Sequence, residues 1–465
     1  MSTLSVDLVV IGAGPGGYAA AFVAATHGLT VALVDSDPNL GGVCLNRGCI
    51  PSKALLHLAK LIREAESASH HGVTFGKPKI DLDQIRTWKT SIIDKLSGGV
   101  AHLAKKRNVT VLNGRGLFQS STTLRVDSSN GQSYVTFKHA IIAVGSRPAL
   151  PSAFDLGSHR VMTSTEALEL ADIPNRLLVI GGGYIGMELG TVYSAMGSKV
   201  SVVEAQGSIL IGADPDIIRP VVKFTQTHFE SVWTSTKVQG MQSDSKTVKV
   251  TLTNDTKTWE ENFDRVLVSV GRSPNSQNLG LENTKVQLDD RGYIKVNSNL
   301  STDDPSIYAI GDIIGGLMLA HKASKEARVA VDNIVGNPTR LENPVIPAVI
   351  FTDPEVAWVG LTETEAKAKG IAIKVSKFPW GASGRALTFD RTDGLTKLIL
   401  EPGTDRVLGV GIVGVGAGEL IAEGTLAIEM GATAADIGEV IHAHPTLSET
   451  LMEAAEVYYG TSAHG

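Results

Sequence analysis

Residues 6–35, VDLVVIGAGPGGYAAAFVAATHGLTVALVD, decide the fold class. A β-branched apolar run meets a G-x-G-x-x-G turn, an Ala-rich stretch follows, and a second β-branched run ends in an acid. Residues 176–204, RLLVIGGGYIGMELGTVYSAMGSKVSVVE, repeat that order. Each copy predicts a strand, a tight turn, a helix and a second strand. The glycines are Gly12, Gly14 and Gly17 in one copy and Gly181, Gly183 and Gly186 in the other. From first glycine to terminal acid the distance is 23 positions in both, Gly12 to Asp35 and Gly181 to Glu204.

This layout suits a dinucleotide. One glycine makes the turn, the next lets a pyrophosphate approach the backbone, and the third lets helix and strand pack closely. Phosphate oxygens then meet unpaired amides at the positive helix end, and the acid accepts hydrogen bonds from an adenosine ribose. A lone G-x-G-x-x-G arises by chance in Gly-rich loops; strand, helix and acid in register, twice, predict two dinucleotide sites. Glu204 would repel a 2′-phosphate and no arginine follows it closely, so the second site reads as NAD rather than NADP. Asp37, two residues after Asp35, could share that residue's role.

Bulk properties narrow the function classes. A chain of 465 residues has room for two to four domains. Its 43% hydrophobic and 19% charged residues, with 49 glycines, match a soluble globular protein with many close backbone approaches. A net charge of -6 and the lack of a basic run argue against a nucleic-acid partner. No uncharged apolar run reaches the roughly 18 residues that span a bilayer, so no membrane role is expected. The first strand starts almost at once, which leaves no room for a signal or transit segment, and the expected location is the cytoplasm.

The two cysteines, Cys44 and Cys49, share one short segment, GGVCLNRGCIPSK at 41–53. In a regular α-helix their Cα atoms would stand about 8.6 Å apart. A disulfide wants less than roughly 7 Å, so bonding them requires a distorted turn, which Gly48 and Pro51 permit. The apolar spacing of SKALLHLAKLIREAE places Cys49 near a helix start, where a thiolate is stabilised. Redox-active disulfide, metal site and two inert thiols compete as readings. Two nucleotide sites nearby favour the first. A metal would recruit His442 and His444, but C-x4-C is not a usual zinc spacing, and no metal is expected.

Two dinucleotide units, the cysteine segment, TDDPSIYAIGD at 302–312 and HAHPTLSE at 442–449 together resemble the pyridine nucleotide-disulfide oxidoreductases across essentially the whole chain. The resemblance implies an α/β fold with two Rossmann-like domains and a C-terminal α+β interface domain. It implies an FAD domain over 1–145, an NAD domain over 146–270, a central segment over 271–343 packing back on the FAD domain, and a dimerisation domain over 344–465. IIAVGSRP at 141–148 and DRVLVSVGRSPN at 264–275 read as strands leaving the two units through Gly/Pro turns, and mark the crossovers. Gly271 in the second is assigned to cofactor binding.

Further roles follow from the resemblance. Asp312 would bind the FAD ribityl chain, Gly116 would lie by the adenine and the Ala320 amide near the flavin ring. Lys53 would sit near flavin N5, paired with Glu188, although by itself it reads equally as a solvated helix lysine. His444, oriented by Glu449, would reach the disulfide of the partner subunit in a homodimer. Taken alone, Thr446-Leu-Ser-Glu449 is a capping box, and capping sits awkwardly with orienting a histidine. Arg47 departs from the family pattern, which has an apolar residue there. It reads as a helix-surface arginine, or as a charge that lowers the pKa of a nascent thiolate.

The implied reaction takes electrons from dihydrolipoyl groups on acyltransferase or carrier proteins and passes them through Cys44, Cys49 and FAD to NAD. Cys44 is expected to be the more exposed sulfur. A glutathione reductase-like activity would want NADPH, which Glu204 opposes. Mercuric reductase-like chemistry would need further thiols near the C-terminus, and TSAHG has none. A chiefly structural role, docking on a 2-oxoacid dehydrogenase or glycine cleavage assembly, is the reading from a different class.

Overall fold

In the computed structural model, residues 3–465 are described. The first unit runs β1 (Thr3–Ile11), α1 (Pro15–Thr26) and β2 (Val31–Asp35), with β1 and β2 parallel and Val10 opposite Leu33. Pro15 opens α1, where its missing N–H costs nothing and its φ is already helical. Gly12 takes φ +98° to turn from strand to helix. A Cβ on Gly17 would fall on the Gly12 carbonyl, and one on Gly186 would fall on that of Gly181, so the third glycine of each motif is a packing requirement.

The first sheet grows around this unit. β3 (Thr110–Asn113) adds beside β2, and β6 (Gly131–Ile142) pairs parallel with β1 on the other side. β4 (Arg115–Ser120) and β5 (Thr123–Ser128) extend the sheet antiparallel, giving the order β3-β2-β1-β6-β5-β4. Ile307–Ala309 also pairs parallel with β6, which brings the chain beyond residue 300 back to this sheet. Both faces are covered. Val9 and Ile11 pack with Phe118, Phe137 and Ile307 on one side, and Leu8 and Val10 with Ala20, Ala24 and Ile141 on the other. That is why β1 reads as an unbroken apolar run rather than an alternating one. Each such fully buried aliphatic side chain contributes about 1.5–3 kcal/mol relative to exposure.

A second, five-stranded sheet holds the repeat. Arg176–Ile180 and Lys199–Val203 pair parallel, flanked by Ser231–Trp233 on one side and by Arg265–Val268 and Val161–Met162 on the other. The helix Tyr184–Ala195 starts at Gly183, and the antiparallel strands 237–243, 248–253 and 258–263 cover the other face. The C-terminal part is a five-stranded antiparallel sheet from Ala348 to Gly414, backed by helices Ala417–Glu429 and Glu449–Tyr459 and closed around the buried Trp380.

The two exits from the nucleotide units meet. Ser146–Pro148 pairs antiparallel with Arg272–Pro274, Ser146 facing Pro274. This small ribbon brings residues more than a hundred positions apart to one site. No described helix is long and apolar enough to cross a membrane.

Candidate active site

The cysteine segment folds as two helices, α2 (Gly42–Arg47) and α3 (Cys49–Ser67), separated by Gly48. The break falls where the spacing demanded one. At Gly48, φ −142° and ψ −109° stop α2, and a Cβ there would stand 2.9 Å from the Val43 carbonyl oxygen. Cys49 is the first residue of α3, so its sulfur lies by the unpaired amides of a 19-residue helix. Both thiols are free.

Their environments are opposite. Cys44 donates a hydrogen bond to the Cys49 sulfur and is half-buried, and both effects push its own pKa up. That same hydrogen bond, helped by the Lys53 charge and opposed by burial, brings the Cys49 thiol down to about 7. Cys49 is also the more exposed of the two, the reverse of the expectation for Cys44. Cys44 sits inside α2, which packs against α3 and the helix Leu82–Lys106, whereas Cys49 stands at a helix end.

Lys53 is not a solvated lysine. Its Nζ lies 2.9 Å from Glu188 Oε2 and 4.5 Å over the Phe351 ring. Glu188, 3% exposed, also accepts from Ser52 Oγ (3.0 Å) and, through Oε1, from the Phe351 amide (3.0 Å). Ser52 and Phe351 belong to the site without having been legible as such.

A cavity of about 520 Å³ joins these groups to the first unit. Of the expected residues, Gly12, Gly14, Asp35, Cys44, Cys49, Lys53, Glu188, Asp312 and Ala320 line it. Gly17 lies beneath the loop, and Gly116 packs beside Ile11, Val34 and Leu124 at the β1–β2 end. The wall fits an elongated dinucleotide. Asp35 marks one end and the amides at the start of α1 follow. Gly42 presses so close to the loop that a Cβ would stand 2.6 Å from the Gly14 Cα. Thiols, Lys53 and Asp312 also face the cavity. Asp312 accepts a short hydrogen bond from Ser146 Oγ, which in turn accepts from Arg272 Nε at 2.7 Å. Ser146 and Arg272 lie in the two quoted exit strands, but their link to Asp312 was invisible in sequence.

The acids do more than expected. Asp35 accepts from the Ala13 amide (2.5 Å) and the Asp37 amide (2.8 Å), while burial raises its pKa. Glu204 does the same in the second unit, accepting from Gly182 and Gln206 amides, both at 2.7 Å. Each carboxylate fixes its own loop and keeps lone pairs free for a ribose. Gly181 turns with φ +103°, and neither Gly183 nor Gly271 has an atom near a built Cβ, so the second loop lies open. Tyr184, 40% exposed, stands between the two units, and burial of its hydroxyl pushes the pKa up to about 12.

His444 and Glu449 form a separate pair. His444 Nδ1 lies 2.9 Å from Glu449 Oε1, and Glu449 Oε2 accepts from the Thr446 amide at 2.7 Å. One carboxylate therefore ties the Thr446 amide to the His444 ring, one oxygen each, but the expected capping box does not form: the helix begins at Glu449, with Ser448 before it and no side-chain cap. Burial opposes ionisation of Glu449, but the Thr446 amide and His444 outweigh it and hold its pKa below the usual range. The His444 side chain is 75% exposed and lines no part of the cysteine cavity. His442 is engaged by Glu423 (2.8 Å) and the Val440 carbonyl (2.8 Å), so it is not offered to the cysteines. Arg47 pairs with Asp37 at 2.7 Å, whereas Lys53 is the cation among the main causes of the shifts of both thiols.

Comparison with known proteins agrees with this geometry. A pyridine nucleotide-disulphide oxidoreductase family model matches residues 6–327, and the dimerisation domain of that family matches 346–455. A dihydrolipoyl dehydrogenase of Vibrio cholerae is 46% identical over 98% of this chain and 96% of its own. One from Geobacillus stearothermophilus is 44% identical over 99% and 98%. Among solved structures, LpdA from Mycobacterium tuberculosis superposes with a TM-score of 0.90 at 28% identity, covering 97% of this chain and all of its own. A Cu(II) complex of the HOCl-induced flavoprotein disulfide reductase RclA from Escherichia coli gives 0.87 at 27%, covering 98% and 100%. With matches of this extent, the chain belongs to the pyridine nucleotide-disulphide oxidoreductases, an oxidoreductase family whose cofactors are FAD and NAD.

Proposed function

We propose that this protein oxidises dihydrolipoyl groups to lipoyl groups with reduction of NAD, as a homodimer acting on lipoyl-bearing acyltransferase or carrier proteins. The observation that carries the reading is the pairing of a raised and a lowered thiol, Cys44 and Cys49, on the wall of a dinucleotide-shaped cleft. FAD bound in that cleft supplies the route by which an electron pair passes from sulfur to NAD.

The residues divide the work. Glu449 holds Nδ1 of His444, leaving Nε2 to take a proton from one dihydrolipoyl thiol. The resulting thiolate attacks Cys44 Sγ of the Cys44–Cys49 disulfide, and the S–S bond breaks with Cys49 leaving as a thiolate. The lower thiol pKa makes Cys49 the better leaving group. The second lipoyl thiol attacks the mixed disulfide and closes the lipoyl ring, Cys44 leaves and takes that thiol's proton, and His444 releases the proton it took in the first step to solvent. Lys53 holds its charge near the Cys49 thiolate. In a single chain His444 is absent from the cysteine cavity, so the reading requires His444 of the partner subunit. The exposed apolar side chains of Leu426, Met430, Val440 and Ile441, the last 97% exposed, favour burial of that region against a second copy.

The remaining assignments follow. We place the FAD part at 1–145, the NAD part at 146–270, the central segment at 271–343 and the dimerisation part at 344–465. Gly12, Gly14, Gly17, Asp35, Lys53 with Glu188, Gly116, Asp312 and Ala320 serve FAD; Gly181, Gly183, Gly186, Glu204 and Gly271 serve the NAD side. A cytoplasmic location suits a cysteine pair that must be reduced in each turnover. Anaerobic titration of the purified protein with dihydrolipoamide, then NAD, tests the reading. A yellow protein that bleaches and then forms NADH is expected; a colourless protein, or one that forms no NADH, overturns it.

A further inference from the structure

The mechanism leaves Arg47 unused. Arg47 ends α2, lines the cavity with Asp35, Asp37 and Gly14, and sets its Nη2 2.7 Å from Asp37 Oδ2. Among the described residues no other acceptor engages this guanidinium, so most of its five N–H donors are uncommitted. Asp37 is itself fixed. Its amide donates to Asp35 Oδ1 (2.8 Å), its carbonyl accepts from Asn113 Nδ2 (2.9 Å), and its Oδ1 accepts from the Asn39 amide (3.2 Å). Next to Arg47, Asn46 Nδ2 donates to the Asn39 carbonyl at 3.1 Å. Two successive side chains thus tie the end of α2 to the chain leaving β2. Asp35 and Asp37 put two carboxylates at the ribose end of the wall, next to the place of a pyrophosphate dianion, and Arg47 is the cation placed against them.

We propose that Arg47 is a cofactor-retention residue: with Asp37 it latches α2 across the acid-bearing end of the cleft and turns its free N–H groups to the anionic pyrophosphate–ribose portion of FAD. The inference rests on the assignment of this cleft to FAD. It replaces the idea of a charge tuning the thiols, a part that falls to Lys53.

The test is removal of flavin from the full-length protein, followed by titration of the apoprotein with FAD at low and moderate salt, read by flavin fluorescence. Arg47→Val is expected to weaken FAD binding on the order of tenfold, the value of one charge-assisted hydrogen bond. Arg47→Lys recovers part of the loss, because it keeps the charge and loses the planar fork. Affinity in Arg47→Val also depends less steeply on salt, one cation fewer facing the phosphates. Binding by Arg47→Val within twofold of wild type overturns the proposal. So does a loss that Arg47→Lys fails to relieve and that keeps the wild-type salt dependence, the mark of a merely structural contact. Failure of the wild-type apoprotein to take up FAD sinks the cofactor assignment instead.

Discussion

The two nucleotide units carry the same turn, the same third-glycine packing and an acid at the same spacing that accepts the same two loop amides. They differ in what lies across the loop. Gly42, α2 and the helix Ala320–Ile334 wall a cleft with the first, while Gly183 and Gly271 of the second face open space. The motif sets which kind of ligand binds; the elements folded over it set how long that ligand stays. A cleft walled by several elements suits a resident group, and an open loop suits one that must enter and leave in each turnover.

The contrast breaks most completely at the sulfurs. Cys49→Ser is expected to abolish NAD reduction by dihydrolipoamide while leaving the flavin bound, since the cavity wall changes by one atom. His444→Gln is expected to cost roughly 10²–10⁴-fold in the same assay, the usual weight of a general base. Mixing the two inactive variants after subunit exchange sharpens the point. Half of randomly formed dimers are mixed and each holds one intact site, so about a quarter of wild-type sites should return. No recovery would mean that the histidine and the cysteines of one site come from the same chain.

A smaller effect compares the acids directly. Glu204→Gln loses a charge that holds an open loop, and an increase of about tenfold in KM for NAD is expected, with a narrower preference over NADP. Asp35→Asn makes the matching change in a loop held from several sides, and should purify with near-stoichiometric flavin. Measured flavin content and NAD and NADP kinetics decide. An Asp35→Asn protein lacking flavin beside an unaffected Glu204→Gln would reverse the contrast.

How much of this was legible follows from where the constraint lies. Gly12, Gly17 and Asp35, with their counterparts, are visible because a turn with positive φ and a crowded helix–strand contact leave glycine as the residue that fits, and these constraints are local. The Gly48 break was legible because the two cysteines stand too far apart in a regular helix to bond. Ser146 and Arg272 were not, because their meeting with Asp312 depends on a two-stranded ribbon joining positions 126 apart. Thr446-x-x-Glu449 was legible as a capping box, yet the helix starts only at Glu449, and the carboxylate instead ties the Thr446 amide to His444. Cys44 and Cys49 were found by spacing, while their order of exposure needed the packing of α2.

The smallest effect is expected where one unit reaches into the other. Glu188 belongs to the helix of the second unit and pairs with Lys53, whose charge helps hold the Cys49 thiol at about 7. Lys53→Met keeps the apolar stem and removes the charge, leaving Glu188 as an unbalanced anion near the thiol. The Cys49 pKa should rise by about one unit. Alkylation of the reduced protein follows the thiolate fraction, so its pH profile should move upward and the rate at pH 7 should fall about fivefold. Stability supplies a second readout. A thiol lowered on folding stabilises the native reduced protein fully above its unfolded pKa, and that contribution is lost as pH falls through the folded one. In wild type the loss should run from the unfolded pKa down to about pH 7; in Lys53→Met it should start at the same pH, end about one unit higher and be smaller in total, as seen in melting temperatures between pH 6 and 9. An unmoved alkylation profile would show that Lys53 touches the second unit without tuning the first, and the Cys44 hydrogen bond would then carry the whole shift.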